Sequence, residues 1–203
     1  MKESTNELYK ANDDIIGLMK LVKNIGWLSI REQSIQRTVY LTKVLYTFIS
    51  EKNDYHYEYY TFSVRIAGPY SSLVNRSIID LKTREVLEED KEGNIKLIDL
   101  KYSIDEDSEK YKWLKIIIHI LGLYGESKIF GFTINDPLYR EGVETNTQKT
   151  LNTSSLENKT IKVLNEFKFA FEETLKDVSQ ISKEEYLELY FEYIFSKIIT
   201  NEE

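Results

Sequence analysis

Two histidines, His56 and His119, are the side chains of this sequence best suited to proton transfer near neutral pH. His56 lies in a tyrosine-rich segment and His119 in a strongly apolar one, and neither has a partner at a catalytic or metal-binding spacing. The chain has no cysteine, no glycine-rich phosphate loop, and no HExxH or GxSxG motif. The sequence therefore predicts a protein that is not an enzyme and that carries no cofactor or metal.

Side chains suited to binding follow the dipeptide Gly68-Pro69, where apolar residues recur with helical spacing through residues 70–84. In a DNA groove, this helix would present amide, hydroxyl and cationic groups to bases and phosphates. The candidate contacts to DNA or to a protein partner are Ser71, Ser72, Asn75, Arg76 and Lys82. Because so few of them are cationic, we expect a monomer to bind DNA only weakly.

The elements around this helix follow the order of a winged helix. Residues 57–66 alternate with the two-residue period of a strand, and Gly68-Pro69 ends it, with Pro69 expected in the first turn of the helix and Ser71 or Ser72 as its cap. Two short apolar runs, joined by a charged turn that ends in Gly93-Asn94, then predict a β-hairpin, the wing. The tyrosines of the strand (Tyr55, Tyr57, Tyr59 and Tyr60) either stack on a ligand or form its half-buried face.

Helical periodicity extends on both sides of this module. Residues 12–24 predict a first helix capped by Asn12 or Asp13, and residues 33–50 predict a second. A charged linker over 99–108 predicts a boundary between a winged-helix domain (1–103) and a helical subdomain (104–203). In the second half we expect helices over 109–124, 156–176 and 182–200, a strand or loop over 128–134, and a loop over 135–155. The predicted fold class is mainly α with a small β component.

The last predicted helix has an apolar surface broader than a single buried stripe. Either other helices enclose it, or part of it forms an interface with another chain. The candidate interface residues are Tyr186, Tyr190, Tyr193 and Ile194.

Charge is distributed unevenly along the chain. Residues 1–103 carry 15 of the 27 basic and 15 of the 34 acidic side chains, so the net charge of -7 arises in residues 104–203. An acidic half is not expected to lie along DNA. The sequence shows neither a secretory signal nor a membrane-spanning apolar run, so we expect a cytoplasmic protein with no membrane contact.

Three blocks resemble the bacterial YwgA-like and Panacea-like proteins. They are the helical segment Val39–Tyr46, the segment Tyr59-Tyr60-Thr61-Phe62, and the turn Gly68-Pro69-Tyr70-Ser71 with Leu73 and Leu81 beyond it. The resemblance covers residues 12–98, and the basic residues usual in the helix are reduced to Arg37 and Lys43. It implies a winged-helix protein that acts as a regulator, an antitoxin-like partner or an accessory subunit.

In size, acidity and lack of catalytic residues, the chain is also similar to the small accessory subunits of anti-phage systems built on SMC-like or ABC-type ATPases, such as Lamassu. That similarity implies a non-catalytic subunit in contact with an ATPase, a nuclease, or both. The sequence therefore predicts an accessory subunit that acts through protein–protein contacts. The alternative is a DNA-binding transcriptional regulator or antitoxin-like protein.

Overall fold

The structure, a computed structural model, describes residues 5–50, 56–98, 102–145, 150–175 and 181–200, with side chains described through residue 198. Within these residues the chain is mainly helical with two small antiparallel sheets, which confirms the predicted mainly α fold class. The helices are α1 (Thr5–Asn24), α2 (Glu32–Ile49), α3 (Ser72–Thr83), α4 (Glu109–Tyr124), α5 (Glu126–Ile134), α6 (Pro137–Glu144), α7 (Lys159–Thr174) and α8 (Lys183–Thr200). The strands are β1 (Ile30–Arg31), β2 (Phe62–Arg65), β3 (Gly68–Tyr70), β4 (Leu87–Glu89), β5 (Asn94–Leu97) and β6 (Thr150–Leu151).

One sheet has the strand order β1-β5-β4 and joins the segment before α2 to the hairpin after α3. Ile30 of β1 pairs with Ile95 of β5, and Leu87 of β4 pairs with Leu97 of β5. Gly93 takes a positive φ of 81° in the turn, and the Asp90 carboxylate accepts the backbone N–H of Asn94 at 2.9 Å. The hairpin predicted from the charged Gly-Asn turn is confirmed.

The second sheet, with the order β3-β2-β6, corrects the predicted strand over 57–66. The segment His56–Tyr59 is a turn in which Tyr57 has a φ of 64°, and strand pairing begins only at Phe62. Gly68 and Pro69 lie in β3, paired with β2, so Pro69 is not in the first turn of the helix, which begins at Ser72. Tyr55 lies outside the described residues.

Other boundaries also differ from the prediction. The first helix begins at Thr5, so Asn12 and Asp13 lie inside it and do not cap it. Residues 126–134 form helix α5 and not a strand or loop. The predicted loop over 135–155 contains helix α6 and strand β6. Helix α4 has the predicted bounds.

A single hydrophobic cluster includes side chains from both halves of the sequence. Ile15 of α1, Val44 of α2, Ile117 of α4 and Phe191 of α8 are all fully buried in it. The Trp113 indole N–H donates to the Thr42 carbonyl at 3.0 Å, which fixes α4 against α2. The division at residue 103 stays a prediction, but the apolar surfaces of the two halves are buried against each other.

Within the described part of the chain, none of the helices combines the length and the apolarity needed to cross a bilayer.

Candidate interaction surface

Helix α3 carries the predicted binding residues, and its inner face is fixed to α1 by polar contacts as well as by apolar packing. The Ser77 hydroxyl donates to Asn12 Oδ1 at 2.6 Å, and Asn12 Nδ2 donates to Asp80 Oδ2 at 2.8 Å. Leu73, Val74, Ile78 and Leu81 are buried. This packing fixes the outward face of α3, which we define as Ser72, Asn75, Arg76, Ile79, Lys82 and Thr83.

The prediction that Ser71 contacts DNA or a protein partner is wrong, because its side chain is fully buried. The side chain of Gln36 on α2 accepts from the Ser71 N–H at 2.9 Å and donates to the Ser71 carbonyl at 3.2 Å. The Ser71 hydroxyl does not cap α3, and it has no hydrogen-bond partner among the described residues. Ser71 therefore anchors the start of α3 to α2 through its backbone and is not available to a partner.

The other predicted contacts lie at the surface, but their cationic charge is partly compensated. Ser72 and Arg76 are exposed, and Asn75 is half-buried. The Lys82 ammonium forms an ion pair with the carboxylate of Glu89 on β4. The β4–β5 hairpin beside it carries Glu88, Glu89, Asp90 and Glu92 against Lys91 and Lys96. Phosphate binding is therefore disfavoured on the hairpin side of α3.

The centre of the outward face of α3 is apolar. Ile79 is 53% exposed, one helical turn from both Arg76 and Thr83. Burying this side chain against another surface would remove apolar area from water.

A second surface was not predicted, because it depends on the hairpin inserted between α2 and α3. Ile66 at the tip of the β2–β3 hairpin is fully exposed. The Arg37 guanidinium donates to the Ala67 carbonyl at 2.6 Å and lies 4.7 Å from the Phe130 ring centroid. The guanidinium of Arg65 lies 4.3 Å from the Tyr70 ring centroid. We call Arg37, Arg65, Ile66, Tyr70 and Phe130 the hairpin-tip surface.

Gly68 permits this arrangement. Its φ of 120° is unfavourable for residues with a side chain, and a Cβ there would lie 3.2 Å from Arg37 Nε.

The buried carboxylate of Asp14 binds two tyrosines of the 57–60 segment, and the Tyr57 hydroxyl donates to the Lys110 carbonyl at 2.9 Å. Asp14 Oδ2 accepts from the hydroxyls of Tyr59 and Tyr60, the latter at 3.0 Å, and Oδ1 pairs with the Lys110 ammonium. Burial raises the pKa of Asp14 and outweighs the lowering effect of Lys110. Tyr57 and Tyr60 are buried, so their positions fit a role in packing and not stacking on a ligand.

Helix α8 is largely enclosed, as one of the two predicted alternatives requires. Tyr190 and Ile194 are buried, and the Tyr190 hydroxyl donates to the Leu164 carbonyl on α7. The Tyr186 hydroxyl donates to Glu172 Oε1 at 2.9 Å, and the half-buried Tyr193 ring packs 5.4 Å from Phe171. The interface prediction is corrected for Tyr190 and Ile194, whose side chains are used in packing within the chain.

The two histidines lie in different environments. His56 is half-buried with its ring 5.7 Å from Tyr46, and His119 is exposed with Nδ1 3.6 Å from Glu188 Oε1. Among the residues that the structure describes, no three His, Asp or Glu side chains form a group able to hold a metal ion.

Compared with protein-family models, with curated proteins and with solved structures, the chain matches none of them.

Proposed function

We propose that this protein is a non-catalytic accessory subunit that acts through protein–protein contacts made by a winged-helix module. Two features support the winged helix. The elements follow the order α1-β1-α2-α3-β4-β5, and the strand before α2 pairs with the hairpin after α3. The β2–β3 hairpin is then an insertion between the second and third helices of the module.

The observation that carries the proposal is the exposed Ile79 on the outward face of α3, 53% accessible between polar neighbours. An apolar centre with a polar rim is the usual pattern of a protein interface. The fully exposed Ile66 adds a second apolar side chain at the surface, at the tip of the β2–β3 hairpin. The acidic β4–β5 hairpin favours a protein partner over DNA, because it repels phosphates.

The partner expected from the resemblance is an ATPase subunit, a nuclease subunit, or both, within a bacterial anti-phage defence system. A small winged-helix subunit would link such components without contributing chemistry of its own. The proposal places the protein in the cytoplasm, where those assemblies act.

Co-purification from the native operon tests this proposal. Tagged wild-type protein should recover a stoichiometric partner, and Ile79→Asp should lose it while keeping the thermal midpoint, since Ile79 is half-exposed. Leu123→Asp is the matched control, because Leu123 is 57% exposed on α4 outside this face. The proposal fails if the wild type recovers no partner or if Ile79→Asp recovers it as well as Leu123→Asp does.

The alternative function is a DNA-binding regulator or antitoxin-like protein. It is favoured by the exposed Arg76 and the half-buried Asn75 on α3, both of which suit base or phosphate contacts. It predicts a salt-dependent mobility shift with DNA from upstream of its own gene, weakened by Arg76→Ala and by Lys82→Ala. No shift at low salt would eliminate it.

A further inference from the structure

A cavity of about 320 Å³ opens between helices α2, α7 and α8 and the segment that joins α5 to α6. Its walls are mainly aliphatic and aromatic side chains: Leu41, Leu45, Phe132, Val163, Leu164, Phe167, Ile194, Phe195 and Ile198. This volume is at the lower end of the range for small-molecule sites, which are commonly apolar with a few polar groups. None of the residues on the outward face of α3 lines this cavity.

Two cations, Arg140 of α6 and Lys197 of α8, line the same cavity. Both are exposed, and neither takes part in the ion pairs found among the described residues. Lys197 Nζ lies 5.2 Å from the centroid of the Tyr193 ring. An apolar cavity with two cations that form no ion pair within the described residues favours a ligand with an apolar body and an anionic head.

Asp136, the one carboxylate among the described residues that line the cavity, does not offer a site to a cationic ligand. Its Oδ1 accepts from the Thr160 hydroxyl at 2.6 Å, and its Oδ2 accepts from the Tyr40 hydroxyl at 2.6 Å and from the Tyr139 N–H at 2.9 Å. Asp136 is 4% exposed, and these three donors occupy both of its oxygens. The charge available to a ligand in this cavity is therefore positive.

We propose that this cavity binds a small amphipathic carboxylate, with its hydrocarbon part between α7 and α8 and its carboxylate against Arg140 and Lys197. Hydrophobic burial would supply affinity, and the two cations would select an anionic head group over a neutral or cationic one. This site does not depend on the proposed accessory function, since it involves neither the outward face of α3 nor the hairpin-tip surface.

Calorimetric titration of the full chain tests the proposal, with decanoate and decyltrimethylammonium each below its micelle concentration and decanol below its solubility limit. We expect decanoate to bind most tightly, and the Arg140→Gln, Lys197→Gln double variant to lose about tenfold in affinity for it. Lys115→Gln is the matched control, because Lys115 is exposed on α4 and does not line the cavity. Equal affinity for the three ligands, or no binding of decanoate, would overturn the proposal.

A second variant separates occupation of the cavity from binding elsewhere on the surface. Val163 is half-buried in the lining, so Val163→Trp should fill part of the cavity and abolish decanoate binding. A thermal midpoint measured without ligand identifies any loss of folding. Retained decanoate affinity in a folded Val163→Trp protein, or in the folded double variant, would place the ligand outside this cavity and refute the assignment.

Discussion

The Tyr40 hydroxyl donates a hydrogen bond of 2.6 Å to Oδ2 of Asp136, and both side chains are buried. The bond connects α2 to the residue that caps α6, 96 positions later in the sequence. Thr160 at the start of α7 donates to the other carboxylate oxygen. One buried carboxylate therefore holds the ends of α6 and α7 against α2, next to the cavity.

Removing the hydroxyl in Tyr40→Phe should lower the free energy of unfolding by about 1–3 kcal/mol, because a buried carboxylate oxygen loses a hydrogen-bond donor. Urea unfolding followed by circular dichroism measures the change. Tyr9→Phe is the control, since Tyr9 is 58% exposed. Equal stability of the two variants would mean that the Tyr40 bond contributes nothing measurable.

Asp136 should also make stability depend on pH. Burial raises its pKa and outweighs the hydrogen bonds that lower it, so the folded state takes up this proton at a higher pH than the unfolded state does. The wild type should therefore gain stability relative to Asp136→Asn as the pH falls from neutral toward about 4, the ordinary pKa of an aspartate. Unfolding of both proteins across that range measures the difference. A difference that is constant or shrinks on acidification would contradict the assigned direction.

Asp14 should contribute more to stability than its neighbour Asp13, although the two are adjacent in sequence. Asp14→Asn removes the counter-charge of Lys110 and the carboxylate that accepts from Tyr59 and Tyr60. We expect a loss of about 1–2 kcal/mol, because the neutral amide also relieves the burial cost that raises the pKa of Asp14. Asp13→Asn is the control, since Asp13 is exposed and should change stability by less than about 0.5 kcal/mol. Denaturant unfolding measures the stability of both variants. Equal losses from the two substitutions would contradict a stabilising role for the contacts of Asp14 with Lys110, Tyr59 and Tyr60.

The capping role of Ser71, predicted from its position, can be tested against a serine that does cap a helix. Ser108 accepts from the Tyr111 N–H at the start of α4, and Ser108→Ala should cost about 1 kcal/mol. Ser71→Ala should be neutral or stabilising, because its buried hydroxyl has no hydrogen-bond partner in the described structure. Thermal unfolding of both variants provides the measurement. If Ser71→Ala lost as much stability as Ser108→Ala, the Ser71 hydroxyl would have to cap α3 after all.

Regular periodicity and turn chemistry were sufficient to predict the mainly helical class, helix α4 with its bounds and the β4–β5 hairpin. These signals are local, because apolar spacing fixes which face of a helix is buried, and a Gly-Asn turn fixes where a chain reverses. The outward residues Ser72, Arg76 and Lys82 were identified for the same reason, since they alternate with the apolar residues of α3.

The tertiary structure alone decided which polar residues are inside. Asn12 and Asp13 look alike as helix caps, but α1 begins at Thr5 and turns Asn12 toward α3. Ser71 is buried because Gln36 binds its backbone, and the tyrosine-rich segment forms a turn because Asp14 and Lys110 hold its hydroxyl groups. Each of these contacts joins residues more than 30 positions apart, so the free energy that fixes them comes from pairs that no local pattern contains.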